Sequence, residues 1–412
     1  MARLQKLVLA ICLGSVVVNL WQREQQFIVL ISEMMKRGVR VDVPFSRKKL
    51  AMGDAELHRI IRELGGRKPS GNNLKIMLID ELGLPVVRRT PQGKPSFDKL
   101  ALIEYDEMLE HRNNPLAQHI RAYRGWQKTT STNYSAYLKL LSPDGRLRCH
   151  YNLHGARTGR LSCSDPNLQN IPKLEDESSK KPWNYDVKHA FIPENGYTLL
   201  EVDFSQIEFR LAAAYADEES LLEIFNTPGS DIFKNMSEAL GYPRVTIKTK
   251  VYAGNYGAQP KKIASILGIS LQEADNLFRV YNAEYPKMFR LAEDVNEKAK
   301  RSKYITYWTG RRRHFQNPYE ARKAFNSLLQ GGGAEIVKSA MIRVFNEIDG
   351  PDCRMLLQVH DSIVFEIKTS RLNEFQERIV ECMSRVTADT GMYASHALER
   401  VIFPVEAKVW GA

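Results

Sequence analysis

Two aspartates in this sequence stand where a metal ligand would have to stand. Asp203 lies in EVDFSQIEFR, residues 201–210, at the end of an apolar run that opens with Thr198-Leu199-Leu200. A helical pattern follows at once: Ser205 is placed to cap it, and Glu208 stands three residues on, the spacing of a capping box. An acid at a strand-to-helix junction is held on rigid backbone and can face a cleft. Asp361 lies in RMLLQVHDSIVFEI, residues 354–367. There the apolar runs 355–359 and 363–365 flank a polar break, His360-Asp361-Ser362, which reads as a hairpin with the acid at or beside its turn. Carboxylate oxygens are hard ligands. Two strand-end aspartates could hold two divalent cations about 3.5–4 Å apart, the arrangement that serves in-line displacement at phosphorus. A capped helix and an unrelated turn acid are the plainer reading of the same residues.

Cations and aromatics recur in register elsewhere. Arg244, Lys248, Tyr252 and Tyr256 are each four residues apart. On a helix that spacing drifts only about 40° per step, so all four share one broad face. The cationic end suits a triphosphate and the aromatic end a base. An ordinary amphipathic helix is the alternative, and Val245, Thr246 and Ile247 make it a weak one. A second series, Arg322, Asn326 and Gln330, follows Pro318 and is expected to end at Gly331-Gly332-Gly333, since each glycine costs a helix about 1 kcal/mol against alanine. Close approach of the backbone to a ligand would explain three glycines, and so would a plain surface break. Gly310-Arg311-Arg312-Arg313 is a compact cluster that could hold phosphates. His119, Arg121, Tyr123, Arg124, Trp126 and Lys128 interleave cations with aromatics. Such a run can track a phosphate backbone, or form a solvated face with its aromatics turned inward.

The elements that must carry these residues follow from pattern. Residues 7–20 are apolar behind Arg3 and Lys6, but no small-residue cleavage site follows and the run is short for a membrane span. A packed helix continuing to Arg37 is expected instead. Residues 45–148 read as mostly helical, broken at 69–73 and 90–95 by Pro, Gly and Asn. After the turn Pro143-Asp144-Gly145, RLRCHYNL alternates like a strand. Residues 157–172 are rich in turn formers and read as irregular, and 173–188 as a charged surface excursion. A helix is expected over 207–217.

Composition sets the frame. A chain of 412 residues that is 43% hydrophobic can bury several cores, so two or three subdomains are expected. The net charge of +11 and pI of about 9.3 point to a polyanionic partner without separating nucleic acid from a membrane surface. Five scattered cysteines form no C-x-x-C pair, which argues against a disulfide framework or zinc site and fits a reducing compartment. There is no G-x-x-x-x-G-K-[ST] phosphate loop.

DFSQIEFR and QVHDS resemble the two metal-binding motifs of family A DNA polymerases, and RTGRLSCSDPNLQNIP, residues 157–172, is similar to that family's most recognisable stretch. The resemblance runs from about Trp21 to the C-terminus, through five motifs in order. It implies an α+β right-hand fold: an N-terminal helical segment over 1–44, a thumb over 45–148, a palm over 149–214 and 316–412, and fingers over 215–315. The palm's antiparallel sheet would carry both aspartates. The implied activity is addition of deoxynucleotides to a primer 3′ end, using two Mg²⁺ ions for which Mn²⁺ can substitute. The metal ligands would be Asp203, Asp361 and the carbonyl of Phe204, with Lys248 as a third catalytic residue.

The incoming nucleotide would meet Arg244, Lys248, Tyr252, Tyr256, Gln206 and Glu208, the last of these blocking a ribose 2′ hydroxyl. Primer–template DNA would meet Arg160, Asn167, Gln169, Arg322, Asn326, Gln330 and His360. The resemblance further implies a cytoplasmic monomer without membrane attachment. It leaves open any processivity factor or separate exonuclease. Proofreading in this family needs a carboxylate-rich domain before the polymerase, and the first forty or so residues hold no Asp-x-Glu pair, so no proofreading is expected of this chain.

The sequence departs from the family pattern at three positions. Phe233 stands for a usual histidine, Ala253 for a glycine, and Ser362 for the glutamate beside the second acid. Two other readings remain: a single-subunit RNA polymerase, against which Glu208 speaks, and a basic DNA-binding protein on a degenerate hand, against which both aspartates and Lys248 speak.

Overall fold

Alternation decides the strand that carries Asp203. In the computed structural model, which describes residues 2–110, 114–172, 183, 186–255, 258–386 and 396–411, β1 (Tyr197–Phe204) buries Leu200, Val202 and Phe204, while Glu201 and Asp203 alternate with them on the more open face. It lies inside a four-stranded antiparallel sheet with β2 (Cys353–Val359), β3 (Ser362–Lys368) and β4 (Val405–Val409), in the order β4-β1-β3-β2. The strands β2 and β3 are buried on both faces and form the expected hairpin. His360 and Asp361 alone make its turn, and His360 takes the left-handed conformation there with φ of 57°.

Long helices close over this sheet. The first, α1 (Ala2–Arg37), extends the expected helix to its stated end and packs through Phe27, Leu30, Ile31 and Met34. The helix α2 (Ile207–Ala216) leaves β1 directly, and α3 (Arg244–Asn255) carries the first cation–aromatic stripe. The helix α4 (Ala324–Glu347) is 24 residues long, packs against α2 and α1, and runs unbroken through Gly331, Gly332 and Gly333.

That continuity corrects the expected break, and geometry gives the reason. A Cβ on Gly331 would overlap the Tyr307 ring, and one on Gly332 would lie 2.5 Å from Leu211 of α2. The helix is close-packed there, and Gly331 and Gly332 make room for neighbouring side chains rather than for a ligand.

RLRCHYNL is not one strand but two. Arg146–Leu147 pairs with Val39–Val41, which pairs in turn with Phe191–Ile192, whereas His150–Asn152 pairs with Ser162–Ser164. The partner changes at Arg148, whose guanidinium turns back to Asp144 at 2.6 and 2.9 Å.

Residues 45–148 are helical as expected and hold a small core of their own around Leu74, Leu78, Tyr105, Leu109 and Ile120. On its helix Leu116–Lys128, Tyr123 and Trp126 are buried. His119 lies 3.0 Å from Glu63, Arg121 pairs with Asp106, and Arg124 donates to the Phe97 carbonyl at 2.7 Å. These three side chains build the fold rather than a free basic track.

The four described cysteines are buried thiols. Among the described residues no helix is long and apolar enough to cross a membrane.

Candidate active site

A cleft of about 490 Å³ opens at the end of the sheet where β1 and the β2–β3 hairpin meet. Asp203 faces Ser362 across one strand boundary and Glu406 of β4 across the other. The amide of Phe204 donates to the carbonyl of Asp361 at 3.3 Å, so the hairpin turn is tied to the residue that follows Asp203. Both acids therefore line one cleft, Asp203 from the end of β1 and Asp361 from the hairpin turn beside it. Glu406 lines it too, a carboxylate that sequence reading missed because only the sheet register brings it there.

The entry into α2 differs from expectation. Ser205 does not cap the helix. Its amide donates to the Pro404 carbonyl at 2.9 Å, and Gln206, with φ of 54°, takes the N-cap position with no side-chain cap. The reversal at Gln206 turns Ser205 away, and Glu208 is spent elsewhere: its carboxylate accepts from the guanidinium of Arg160. The same guanidinium lies 3.9 Å from the Asp361 carboxylate. One cation thus stands between two of the cleft's acids.

Below them Glu201 accepts from Lys188 at 2.6 Å and from the Ser362 hydroxyl at 3.1 Å. Lys188 is buried, with its ammonium 4.3 Å from the centre of the Trp410 ring. It closes the core and is not the end of a surface excursion. Residues 173–182 lie outside the described part.

Along α3, Arg244 is exposed and paired with Asp231 at 2.8–2.9 Å, Lys248 is exposed, and Tyr252 is half-buried at the cleft. Tyr256 lies outside the described residues. Phe233 is buried against Phe209 and Tyr252, with ring centres 6.0 and 5.7 Å away, so it fills space and leaves no imidazole there.

Lys250 went unnoticed in the sequence. It is buried with its ammonium 2.8 Å from the centre of the Tyr281 ring, and burial pushes its pKa well down. Nothing in TIKTKVY marks this lysine as different from Lys248.

The second series is only partly on a helix. Arg322 falls in the turn before α4 and stacks on Tyr319 at 4.1 Å, while Asn326 and Gln330 are half-buried on α4 itself. The Oδ1 of Asn326 and the Oε1 of Gln206 are buried without a hydrogen-bond partner among the described residues.

Arg311 and Arg313 are not the free phosphate cluster expected. Arg311 binds Glu335 at 2.9 Å and also Glu24, and Arg313 binds Glu320 at 2.7 Å. The backbone amide of Gln316 and the Arg313 guanidinium hold the Glu320 carboxyl down at about 2. Arg312 stacks on Tyr304 at 4.7 Å.

Asn167 is exposed and caps its own turn by accepting from the Gln169 amide at 3.1 Å. His360 is exposed at the hairpin tip. Gln169 is 8% exposed, and its side-chain nitrogen donates to Gln358 at 2.7 Å.

The family model for DNA polymerase family A matches residues 46–401. This chain belongs to DNA polymerase family A. The thermostable DNA polymerase I of Thermus aquaticus is 32% identical over 389 residues, 88% of this chain and 45% of that protein. DNA polymerase I of Pseudomonas aeruginosa is 30% identical over 387 residues, 88% of this chain and 41% of that protein. The chain thus spans about half the length of the curated relatives it matches. A solved structure described as the POL domain of Pol1 from M. smegmatis, in complex with DNA primer-template and dNTP, superposes with a TM-score of 0.83 at 28% identity, covering 94% of this chain and 69% of that one. The right-hand fold of family A is therefore the fold of this chain, mostly helical around antiparallel sheets.

Proposed function

We propose that this chain is a DNA-directed DNA polymerase, adding deoxynucleotides to a primer 3′ end under the direction of a template. The observation that carries the reading is the convergence of Asp203, at the end of β1, and Asp361, in the adjoining hairpin turn, on one cleft that Tyr252 of the helix bearing Arg244 and Lys248 also lines. In this reading the four-stranded sheet with α2 and α4 is the palm, residues 215–315 are the fingers and 45–148 the thumb. Primer–template DNA and deoxynucleoside triphosphates are the partners, and no proofreading site is assigned to these residues.

The donor set fits divalent magnesium or manganese. Two carboxylates, one at a strand end and one in the adjoining turn, offer hard oxygens, and a guanidinium 3.9 Å from Asp361 already sits where positive charge is wanted. Asp203 and Asp361, with the carbonyl of Phe204, would hold two such ions. Bound there, they would activate the primer 3′ hydroxyl and neutralise charge at the transferring phosphorus.

The chain's own groups do the rest. Arg244 and Lys248 draw the triphosphate along α3, and Lys248 is the proton donor to the departing pyrophosphate. Tyr252 packs under the nascent pair, and Glu208 occupies the space a 2′ hydroxyl would need. Asn326, Gln330 and Arg160 face the minor groove, where N3 and O2 acceptors recur in every base pair and report geometry rather than sequence.

The test is primer extension by the pure protein with deoxy- or ribonucleotides, with and without Mg²⁺. Template-dependent, Mg²⁺-dependent growth with deoxynucleotides is expected. Duplex binding with no extension under any of these conditions would leave only a DNA-binding hand.

A further inference from the structure

Gln358 stands on β2, three residues before Asp361, and is 6% exposed. Its side-chain nitrogen donates to the carbonyl of His360. A carbonyl can only accept, so that end of the amide is the NH₂ and the other end is the oxygen. The oxygen accepts from Gln169 at 2.7 Å, which makes the two amides a directed pair running from the 168–170 turn to the hairpin tip. The backbone of Gln358 is fixed as well. The Tyr151 hydroxyl accepts from its N–H at 2.9 Å and donates to its carbonyl at 3.2 Å.

We infer that Gln169 and Gln358 are positioning residues that set the placement of Asp361. His360 holds a left-handed conformation that residues with a side chain adopt uncommonly. The hydrogen bond from Gln358 lands on the carbonyl of the peptide that joins His360 to Asp361, and so fixes the plane from which the acid projects. Phe204 holds the carbonyl on the far side of Asp361. Freed from Gln358, the His360–Asp361 peptide can swing and carry the carboxylate away from Asp203. A misplacement of about 1 Å at a reacting centre costs about a hundredfold in rate.

The inference reassigns Gln169, which the resemblance makes a DNA contact. A side chain this buried, with its nitrogen spent on another amide, offers little to a groove. It rests on the polymerase reading of the two acids.

The experiment compares the parent with Gln169→Leu, Gln358→Leu and the double variant. Four quantities are read: thermal midpoint, primer–template Kd without nucleotide, single-turnover extension rate, and Mn²⁺ binding to the DNA-free protein by electron paramagnetic resonance. Each single variant is expected to extend about 10- to 100-fold more slowly and to bind Mn²⁺ more weakly, with primer–template Kd within about threefold of the parent. The double variant is expected to be no slower than Gln358→Leu, because one break already disconnects the pair.

Parental rates and Mn²⁺ binding in both single variants would overturn the inference. So would a Gln169→Leu variant that loses DNA affinity while binding Mn²⁺ normally, since Gln169 would then be a DNA contact. If Gln358→Leu fails to fold, Gln169→Leu, which leaves β2 intact, decides alone. A parent that extends no primer would defeat the polymerase reading, while the Mn²⁺ comparison would still decide the positioning role.

Discussion

The amide of Phe204 donates to the carbonyl of Asp361 at 3.3 Å. Through that bond the backbone beside one acid fixes the backbone of the other, independently of either carboxylate. Replacing the carboxylates should therefore leave the scaffold standing. Asp203→Asn and Asp361→Asn are each expected to abolish extension while primer–template binding and the thermal midpoint stay near the parent's. Near-normal extension by either variant would end the metal-ligand assignment.

Glu208 pairs with Arg160, and in the polymerase reading it also fills space at the sugar. Glu208→Ala is expected to raise ribonucleotide incorporation, and Glu208→Gln, which keeps the volume, to raise it far less. Single-turnover incorporation of a ribo- and a deoxynucleotide opposite one template base measures both. Equal selectivity in all three proteins would leave Glu208 only as the partner of Arg160.

Tyr252 lines the cleft with a hydroxyl that phenylalanine would lack. A dideoxynucleotide brings no 3′ hydroxyl, and an unmade hydrogen bond in a dry pocket costs about 1–3 kcal/mol, roughly 5- to 150-fold. Tyr252→Phe is expected to shift the ratio of deoxy- to dideoxynucleotide incorporation against the dideoxy form by an amount in that range. An unmoved ratio would reduce the hydroxyl to a packing role.

The glycines of α4 separate two opposing effects. Helix propensity favours alanine over glycine by about 1 kcal/mol, but overpacking costs about 1–3 kcal/mol. At Gly331 the new methyl meets the Tyr307 ring, whose hydroxyl is anchored to the Thr158 carbonyl at 3.1 Å, so the ring has little room to yield. At Gly333 the nearest atom is 3.7 Å away, an ordinary contact. Gly331→Ala should lower the thermal midpoint and Gly333→Ala should raise it. Shifts of the same sign at both sites would count against the close packing described for α4.

Lys338 on α4 is 3% exposed, 3.7 Å from Glu24 and 3.9 Å from Glu335. Burial pulls its pKa down to about 8, against the opposite pull of Glu24. An unfolded lysine titrates near 10.4, so between about pH 8 and 10.4 the unfolded chain binds more protons than the folded one, and stability gains with rising pH. Below about pH 8 both states are protonated and the group contributes no slope. Relative to Lys338→Met, the parent should gain up to about 3 kcal/mol across that window, read by urea denaturation at pH 7.5 and 10. Identical pH slopes in the two proteins would rule this out.

The parts of the site that were legible in the sequence are those whose cause is local. The hairpin at His360-Asp361 shows as two apolar runs around a polar break, and β1 as a run ending in an acid, because period and breakers act over a few residues. What stayed hidden depends on partners far along the chain. Ser205 has the right neighbours for a cap, yet Pro404 claims its amide. Gly331 to Gly333 read as a break because Tyr307 and Leu211, which make glycine necessary at the first two positions, lie elsewhere in the sequence. Arg311 looks free until Glu24 and Glu335 arrive from two helices, α1 and α4. Gln169 sits in a recognisable motif, but its hydrogen bond goes to a residue 189 positions away.

The Tyr151 hydroxyl has one more consequence. It occupies both backbone polar groups of Gln358 on the outer side of β2, the end strand of the sheet. An end strand with bare amides and carbonyls is a template on which another chain can assemble. On this side the template is interrupted one residue before the strand ends. At the opposite end, β4 is five residues long and bears Glu406 and Lys408, charges of opposite sign that hold strangers off by hydration. The sheet that bears the two acids is thus guarded against self-association at both margins, by a phenol at one and by charge at the other.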